Sequence, residues 1–208
     1  YIARRYDLVS KLGDLYDQLN HQDEYIEPDE RYQVEELIAQ GGLKNIHRAF
    51  DCKASRYVAM AFAKDDSKES EEAFKREAQV TALLEHSNII PVYDIAWLKQ
   101  DFFTMKLVQG ESLNKAIFDQ PLNKLLQIFM KICDAISYAH SRGVVHLDLK
   151  PDNICFDSFG EVFVYDWGMA LRLFIPEEDM NFLSPDIQGI SNEYKGTPSF
   201  MAPEQLNP

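Results

Sequence analysis

The sequence predicts an α+β protein of two lobes: a small lobe with an antiparallel β-sheet and one helix, then a larger, mainly helical lobe. Two observations carry this prediction. Short runs rich in β-branched and aromatic residues, typical of strands, recur between Tyr32 and Leu107, and one Glu-, Ala- and Lys-rich stretch interrupts them. Beyond Leu107 the apolar residues recur at steps of three and four, which indicates amphipathic helices.

The first 30 residues, 1–30, form a separate segment. Apolar side chains at steps of three and four predict one amphipathic helix over residues 5–19. An acidic, proline-containing linker, Asn20–Glu30, follows and sets a boundary before the small lobe. The helix either packs against the following domain or serves in regulation or dimerisation, and the sequence leaves both open.

The elements of the two lobes follow in chain order. The predicted strands are Tyr32–Ile38, Asn45–Phe50, Tyr57–Phe62, Pro91–Trp97 and Phe102–Leu107, with a helix at Lys68–Leu84 among them. Two more helices, Leu113–Phe118 and Leu122–Ser141, begin the larger lobe. The apolar residues expected on one face of the second are Leu122, Leu125, Leu126, Phe129, Ile132, Cys133, Ile136 and Ala139.

The composition limits the classes of partner. The chain has 208 residues, 46% of them hydrophobic, and a formal net charge of −13. Nucleic acids and anionic membranes attract basic surfaces, so neither is an expected partner. A preference for basic protein substrates would fit this charge.

Cysteine usage and hydropathy indicate the compartment. The three cysteines, Cys52, Cys133 and Cys155, are odd in number and widely spaced, so they predict buried, reduced thiols rather than disulfides or a zinc site. No apolar run approaches the ~18–20 residues of a membrane-spanning helix, and no signal peptide is recognisable. We therefore expect a cytoplasmic location. Because the sequence begins at Tyr1, an anchor could still lie in a longer parent chain.

The most specific pattern is a polar run in the larger lobe, His146-Leu147-Asp148-Leu149-Lys150-Pro151-Asp152-Asn153, followed by Asp166-Trp167-Gly168. Phosphoryl transfer from a nucleotide needs a carboxylate for the hydroxyl proton, a cation for the phosphate and oxygen ligands for Mg²⁺. Asp148 is the candidate base and Lys150 the cation. Asn153 and Asp166 are the candidate metal ligands.

This run closely resembles the catalytic loop and metal motif of eukaryotic-type (Hanks-type) protein kinases. The resemblance implies the bilobal protein-kinase fold, ATP and Mg²⁺ as cofactors, and a protein substrate. It assigns residues 31–105 to the small lobe and 106–208 to a partial large lobe, truncated after the activation segment with its Ala202-Pro203-Glu204 motif. Lys150, with Thr197 bridging it to Asp148, favours serine/threonine specificity, and the loop and tail sequences most resemble bacterial members.

The turn Gln40-Gly41-Gly42-Leu43 matches the phosphate-binding loop of that family. Glycines in a hairpin allow backbone N–H groups to approach phosphates closely, which makes Gly41 and Gly42 candidates. The family pattern, Gly-x-Gly-x-x-Gly-x-Val, falls on Ala39, Gly41, Lys44 and Ile46, so only the middle glycine is kept. We therefore expect a reshaped loop.

A larger departure lies in the third strand, where the family has Val-Ala-Ile-Lys and this chain has Val58-Ala59-Met60-Ala61. Residues two apart in a strand face the same side, so Ala59 and Ala61 should both face the cleft. Lys64 lies at an odd offset and should point away. Lys44, at the third glycine position, resembles the lysine of the with-no-lysine kinases. It either replaces the missing cation or is a solvated turn lysine.

The resemblance also assigns the rest of the nucleotide site. Glu77, on the small-lobe helix, matches the glutamate that pairs with the phosphate-binding lysine. Met105 would lie behind the adenine, and the backbone of Lys106 and Val108 would pair with its edge. The candidate cofactor-binding residues are Gly41, Gly42, Lys44, Ile46, Ala59, Glu77, Met105, Lys106 and Val108.

Two substitutions alter the transfer side. Leu147 stands where the family has an arginine that receives an activation-segment phosphate, so activation through that pair is not expected. Trp167 replaces the phenylalanine of the metal motif. His146 is expected to be structural.

Two functions remain after these observations. The first is a Ser/Thr protein kinase that transfers the γ-phosphoryl group of ATP. The alternative is a pseudokinase, a nucleotide- or partner-binding regulatory module without phosphotransfer, favoured by Ala61 and the altered loop but opposed by the four intact transfer residues. In either case the helix Leu122–Ser141 needs a partner or further C-terminal helices to cover its apolar surface.

Overall fold

The computed structural model describes residues 31–65, 67–97, 100–173 and 196–206. The predicted N-terminal helix, its acidic linker and most of the segment before Gly196 lie outside these residues. Within the described part, no helix is both long and apolar enough to cross a membrane.

The small lobe is a five-stranded antiparallel sheet in the order β1-β2-β3-β5-β4. Its strands are β1 (Tyr32–Gln40), β2 (Lys44–Asp51), β3 (Arg56–Ala63), β4 (Val92–Ala96) and β5 (Phe102–Lys106). The predicted strands thus form, with ends that differ by a few residues. The register pairs Ile46 with Ala61 and Lys44 with Ala63 across β2 and β3.

Helix α1 (Lys68–Leu83) packs on one face of this sheet. The Ser67 side chain caps it by accepting a hydrogen bond from the Ser70 N–H at 3.4 Å, and Glu69 and Glu71 in the first turn favour the same end. Its apolar residues form a buried cluster with the sheet: Phe74, Ala78, Ala61 and Phe103. This packing turns Glu77, the residue before Ala78, toward the cleft between the lobes.

The larger lobe begins with β6 (Glu111–Ser112), α2 (Leu113–Ala116) and α3 (Leu122–Ser141). Short strands follow: β7 (Val144–Val145), β8 (Ile154–Phe156), β9 (Val162–Val164) and β10 (Leu171–Arg172). They form a β6-β8-β9 sheet and a β7-β10 pair. Two backbone bonds connect the lobes, from Ile90 N–H to Val164 O at 3.1 Å and from Val164 N–H to Asn88 O at 2.9 Å.

Helix α3 forms over the predicted residues, and only part of its apolar surface is buried. The residues that enter the core are Ile128, Ile132, Ala135 and Ala139. Much of the predicted face is exposed instead, and we call these residues with Met130 the α3 stripe: Leu122, Leu126, Phe129, Met130 and Cys133. The helix is apolar around more than half its circumference, and periodicity alone could not tell which stripe meets the core. The prediction that all cysteines are buried is also wrong, since Cys133 is exposed.

Gly110 allows a close approach between two segments of the larger lobe. A Cβ at this position would lie 2.3 Å from the carbonyl oxygen of Phe156, which is backbone and cannot move away cheaply. We predict that Gly110→Ala lowers the melting temperature of the intact protein by roughly 5 °C, because overpacking costs about 1–3 kcal/mol. The matched control is Gly42→Ala, whose added Cβ would meet nothing within 4 Å. Equal melting temperatures for the two variants would contradict this account.

Candidate active site

The catalytic run folds between β7 and β8, and it brings three predicted residues together. The Asp148 side chain is buried, with Oδ1 accepting from Thr197 Oγ1 at 2.6 Å and Oδ2 from Lys150 Nζ at 2.7 Å. Lys150 Nζ also donates to Thr197 Oγ1 at 2.7 Å. The contacts close a triangle, with Thr197 bridging the other two as expected from the sequence.

Electrostatics keep Asp148 ionised. Burial alone would raise the pKa of its carboxyl, but the hydrogen bonds from Lys150 and Thr197 outweigh that effect and hold the pKa below its ordinary value. Asp148 therefore presents a carboxylate at neutral pH. Such a group can accept a hydrogen bond from a substrate hydroxyl.

Asn153 ends a short 3₁₀ turn, Pro151–Asn153, and its side chain is buried. Its Nδ2 donates to the Asp148 backbone oxygen at 2.9 Å. Because the amide nitrogen is committed to that bond, the Oδ1 atom is left as an acceptor. An amide oxygen beside a carboxylate is a suitable ligand for a hard cation.

His146 connects the catalytic loop to the metal motif. It accepts the Asp148 N–H at Nδ1 (3.3 Å) and contacts the Tyr165 backbone oxygen through Nε2 at 3.2 Å. Burial lowers its pKa, so the ring is neutral, and it packs 4.6 Å from the Trp167 ring. His146 is therefore structural, as predicted. The Trp167 indole is buried, and its N–H has no partner among the described residues.

Lys44 reaches the centre of the cleft. It begins β2 directly after a hairpin turn closed by a 2.9 Å bond from Gly41 N–H to Lys44 O. Its side chain is only 12% exposed, and Nζ contacts Glu77 Oε1 and, at 2.7 Å, Asp166 Oδ1. Burial opposes the charge on Lys44, but the two carboxylates outweigh it and raise the pKa. The lysine is thus a buried cation rather than a solvated turn residue.

The two other positions considered for the cation, 61 and 64, do not supply it. Ala61 is fully buried beneath α1 in the cluster with Phe74 and Phe103. Ala61 pairs with Ile46 and Phe103, and Ala59 pairs with Met105, and these three partners line the cleft. Directly paired residues share a face of the sheet, so both alanines lie on the cleft side, as strand alternation predicted. Lys64 is exposed and lies beyond the end of β3, as its odd offset indicated.

The cleft between the lobes is lined by some of the residues predicted to bind the nucleotide. Its walls are Ala39, Gln40, Gly41, Lys44, Ile46, Glu77, Thr81, Ile90, Phe103, Met105, Tyr165 and Asp166. Five of the nine candidates are therefore present. Gly42 is absent because it lies at the exposed tip of the turn.

The hinge candidates Lys106 and Val108 offer backbone groups, and not side chains, to the cleft. Lys106 directs its side chain away from the cleft, to Glu161 Oε2 at 2.6 Å, and its N–H donates to Pro91 O at 3.1 Å. Val108 is half-buried, and its backbone groups make no hydrogen bond within the described ranges. They remain available to a ligand edge.

Leu147 has a different role from the arginine it replaces. It adopts a left-handed conformation with φ of 61°, and its carbonyl accepts from Gln205 Nε2 at 2.9 Å. A Cβ on Gly196 would approach the same carbonyl to 2.6 Å. The backbone of Leu147 thus holds the segment 196–206 against the catalytic loop without a charged side chain.

Tyr165 was not singled out from the sequence. It lines the cleft directly before Asp166, and its hydroxyl donates to the backbone oxygen of Asp152. Burial raises the pKa of Tyr165 to about 12, so the phenol stays protonated. The sequence offered one signal that could have identified it, a bulky polar aromatic residue directly before the candidate metal ligand Asp166.

The donor set suits a phosphate-bound Mg²⁺. The described residues contain no group of three or more His, Cys, Asp or Glu side chains that could hold a metal by themselves. Asn153 Oδ1 and the Asp166 carboxylate, whose Oδ1 contacts Lys44, supply two oxygens. Mg²⁺ typically takes one or two protein carboxylates and completes its shell with phosphate and water. The residues therefore fit this ion.

Comparison with known proteins agrees with this geometry. The sequence profile described as "Protein kinase domain" matches residues 32–208. The chain belongs to this family. It is 34% identical over 202 residues to the serine/threonine-protein kinase PknD of Chlamydia caviae, covering 85% of this chain and 22% of that protein. The PknD proteins of Chlamydia pneumoniae and Chlamydia trachomatis serovar D are each 35% identical, with the same coverage.

These relatives confirm the bacterial Hanks-type branch and the bilobal fold predicted from the sequence. The chain spans about a fifth of the length of these curated relatives, which is 22% in each case.

Removing Lys44 should make stability depend on pH through Glu77. Burial already raises the pKa of Glu77, and Lys44 opposes that rise. Without Lys44 the folded-state pKa rises further, so stability falls as pH increases above the unfolded value of 4.5. We predict that Lys44→Met loses more melting temperature at about pH 7.5 than at about pH 5.5, relative to wild type. Adding Glu77→Gln should remove the difference, whereas an equal loss at both pH values would contradict the buried pair.

Proposed function

We propose that the protein transfers the γ-phosphoryl group of ATP to serine or threonine hydroxyls of protein substrates. The observation that carries the proposal is the Asp148–Lys150–Thr197 triangle. It sets an ionised carboxylate and an ammonium side by side, next to Asn153, one of the two candidate metal ligands. Family membership supports the same reaction, since the relatives are called serine/threonine-protein kinases.

Each transfer residue has a definite task in this proposal. ATP with Mg²⁺ supplies the activated phosphoryl group. Asp148 accepts the hydrogen bond of the substrate hydroxyl and orients its oxygen toward the γ-phosphorus. It takes the proton as the new oxygen–phosphorus bond forms, while the bond from the γ-phosphorus to the bridging oxygen breaks and ADP leaves. Lys150 neutralises negative charge on the transferred group, and Asn153 and Asp166 hold the Mg²⁺.

Lys44 performs the task of the missing third-strand lysine. Its ammonium lies between Glu77 and Asp166, and the α- and β-phosphates are proposed to bind beside it. A lysine is a point charge on a flexible stem, so its strand of origin can change if its tip arrives at the same place. Ile46 and Met105 line the same cleft and are proposed to contact the nucleotide base.

The pseudokinase alternative rested on Ala61 and on the altered glycine loop. A binding module has no need for an ionised Asp148 held beside Lys150, and a buried Lys44 in the cleft opposes the argument from Ala61.

The partners are proposals as well. The substrate is a protein, and basic sequences around its hydroxyl would suit the net charge of −13. We propose a cytoplasmic site of action for this domain. The α3 stripe, with Phe129 at 60% and Leu126 at 54% exposure, is proposed as a face covered by further helices or a partner.

Asp148→Asn tests the transfer chemistry. The amide keeps the shape of the side chain but cannot take the proton, so we predict a loss of about 10²–10⁴-fold in the initial rate of phosphate transfer from radiolabelled ATP. Binding of Mg·ATP, measured as a rise in melting temperature, should persist. If wild type is as inactive as the variant while both bind Mg·ATP, the enzyme proposal is lost.

Lys44→Ala tests the relocated cation. Loss of a buried, charge-assisted contact to phosphate should reduce kcat/KM for ATP by about 10²-fold or more. The matched control is Lys64→Ala, which removes the same charge from an exposed position of the same hairpin region and should match wild type. Equal kinetics for the two variants would show that Lys44 does not serve the nucleotide.

A further inference from the structure

Tyr165 makes three hydrogen bonds to the catalytic loop. Its N–H donates to Asn153 O at 3.1 Å, and its carbonyl lies 3.2 Å from His146 Nε2. Its hydroxyl donates to the backbone oxygen of Asp152. The residue that follows Tyr165 is Asp166, so one tyrosine adjoins both candidate metal ligands.

Only the hydroxyl bond depends on the identity of the side chain. Any residue at position 165 could supply the two backbone contacts, but the third needs a donor at the end of a long rigid ring. The ring lines the cleft and joins the end of β9 to the turn Pro151–Asn153. Asn114 Nδ2 also donates to the Asp152 carboxylate at 2.8 Å. The turn that presents Asn153 is therefore held by two contacts to Asp152.

The backbone conformation of Asp166 depends on how firmly the preceding residue is held. Asp166 adopts a left-handed conformation, φ 64° and ψ 64°, which is unfavourable for a non-glycine residue and persists only where its surroundings fix it. Tyr165, immediately before it, is held at three points. The hydrogen bonds of Tyr165 also fix Asn153 relative to Asp166. This matters because Mg²⁺ demands near-ideal octahedral geometry, so its ligands must keep a set separation.

We propose that Tyr165 is a positioning residue for the divalent cation: its hydroxyl holds the 151–153 turn so that Asn153 Oδ1 and the Asp166 carboxylate stay at metal-binding separation. The inference deepens the proposed function and rests on it for the identity of the cation site. Support groups behind metal ligands typically contribute about 10–100-fold in metal affinity, so the effect is measurable.

Tyr165→Phe isolates the hydroxyl, because the ring and its packing remain. The probe is Mn²⁺ in the presence of a non-hydrolysable ATP analogue, with free Mn²⁺ measured by electron paramagnetic resonance on the intact protein. We expect Mn²⁺ affinity to fall about tenfold. Affinity for the metal-free analogue should change less than twofold. In the transfer assay the rate should fall at limiting Mg²⁺ and recover at saturating Mg²⁺.

Tyr138→Phe is the matched control, since Tyr138 stacks on His86 outside the cleft and should bind Mn²⁺ like wild type. Unchanged Mn²⁺ affinity in Tyr165→Phe overturns the inference, as does a wild type that binds no Mn²⁺ with the analogue. Equal weakening of Mn²⁺ and analogue binding, with a lower melting temperature, also overturns it and indicates a structural role. If wild type transfers no phosphate but the Mn²⁺ difference is found, the proposed function fails and the role of Tyr165 stands.

Discussion

Two carboxylates face each other across the cleft, and the arrangement of the site depends on the cation between them. Glu77 is 5% exposed, and burying a carboxylate without a partner is costly. The ammonium of Lys44 meets Glu77 and Asp166 together, which joins the small-lobe helix to the metal motif of the larger lobe. This contact and the apolar packing of α1 on the sheet together hold the two sides of the cleft.

The geometry of the sheet explains how a turn can supply that cation. Ile46 pairs with Ala61 and Lys44 with Ala63, so Lys44 and Ala61 are diagonal neighbours on one face of adjacent strands. A long side chain from the first position reaches the space that a lysine at the second would fill. The small methyl of Ala61 is then free to pack under α1. Strand β2 thus supplies the charge through Lys44, and strand β3 supplies hydrophobic packing through Ala61.

Much of this could be predicted from residue patterns. Alternation and turn residues located the five strands and α1, and fixed spacing located Asp148, Lys150, Asn153 and Asp166. The predictions that failed share one cause, because each concerns which part of the molecule covers a given surface. Periodicity could not tell which apolar stripe of α3 is buried, and composition could not tell that Cys133 lies on its exposed side. The hydroxyl contact of Tyr165 joins residues 13 positions apart through a turn, and no local pattern announces it.

The diagonal relation between Lys44 and Ala61 also sets the charge balance of the site. A chain with lysine at neither position would bury Glu77 without a cationic partner, at a cost in stability. A chain with lysine at both positions would set two ammonium groups beside the carboxylates of Glu77 and Asp166. One lysine meets both carboxylates here, so the cleft needs a cation at this point and either strand could supply it.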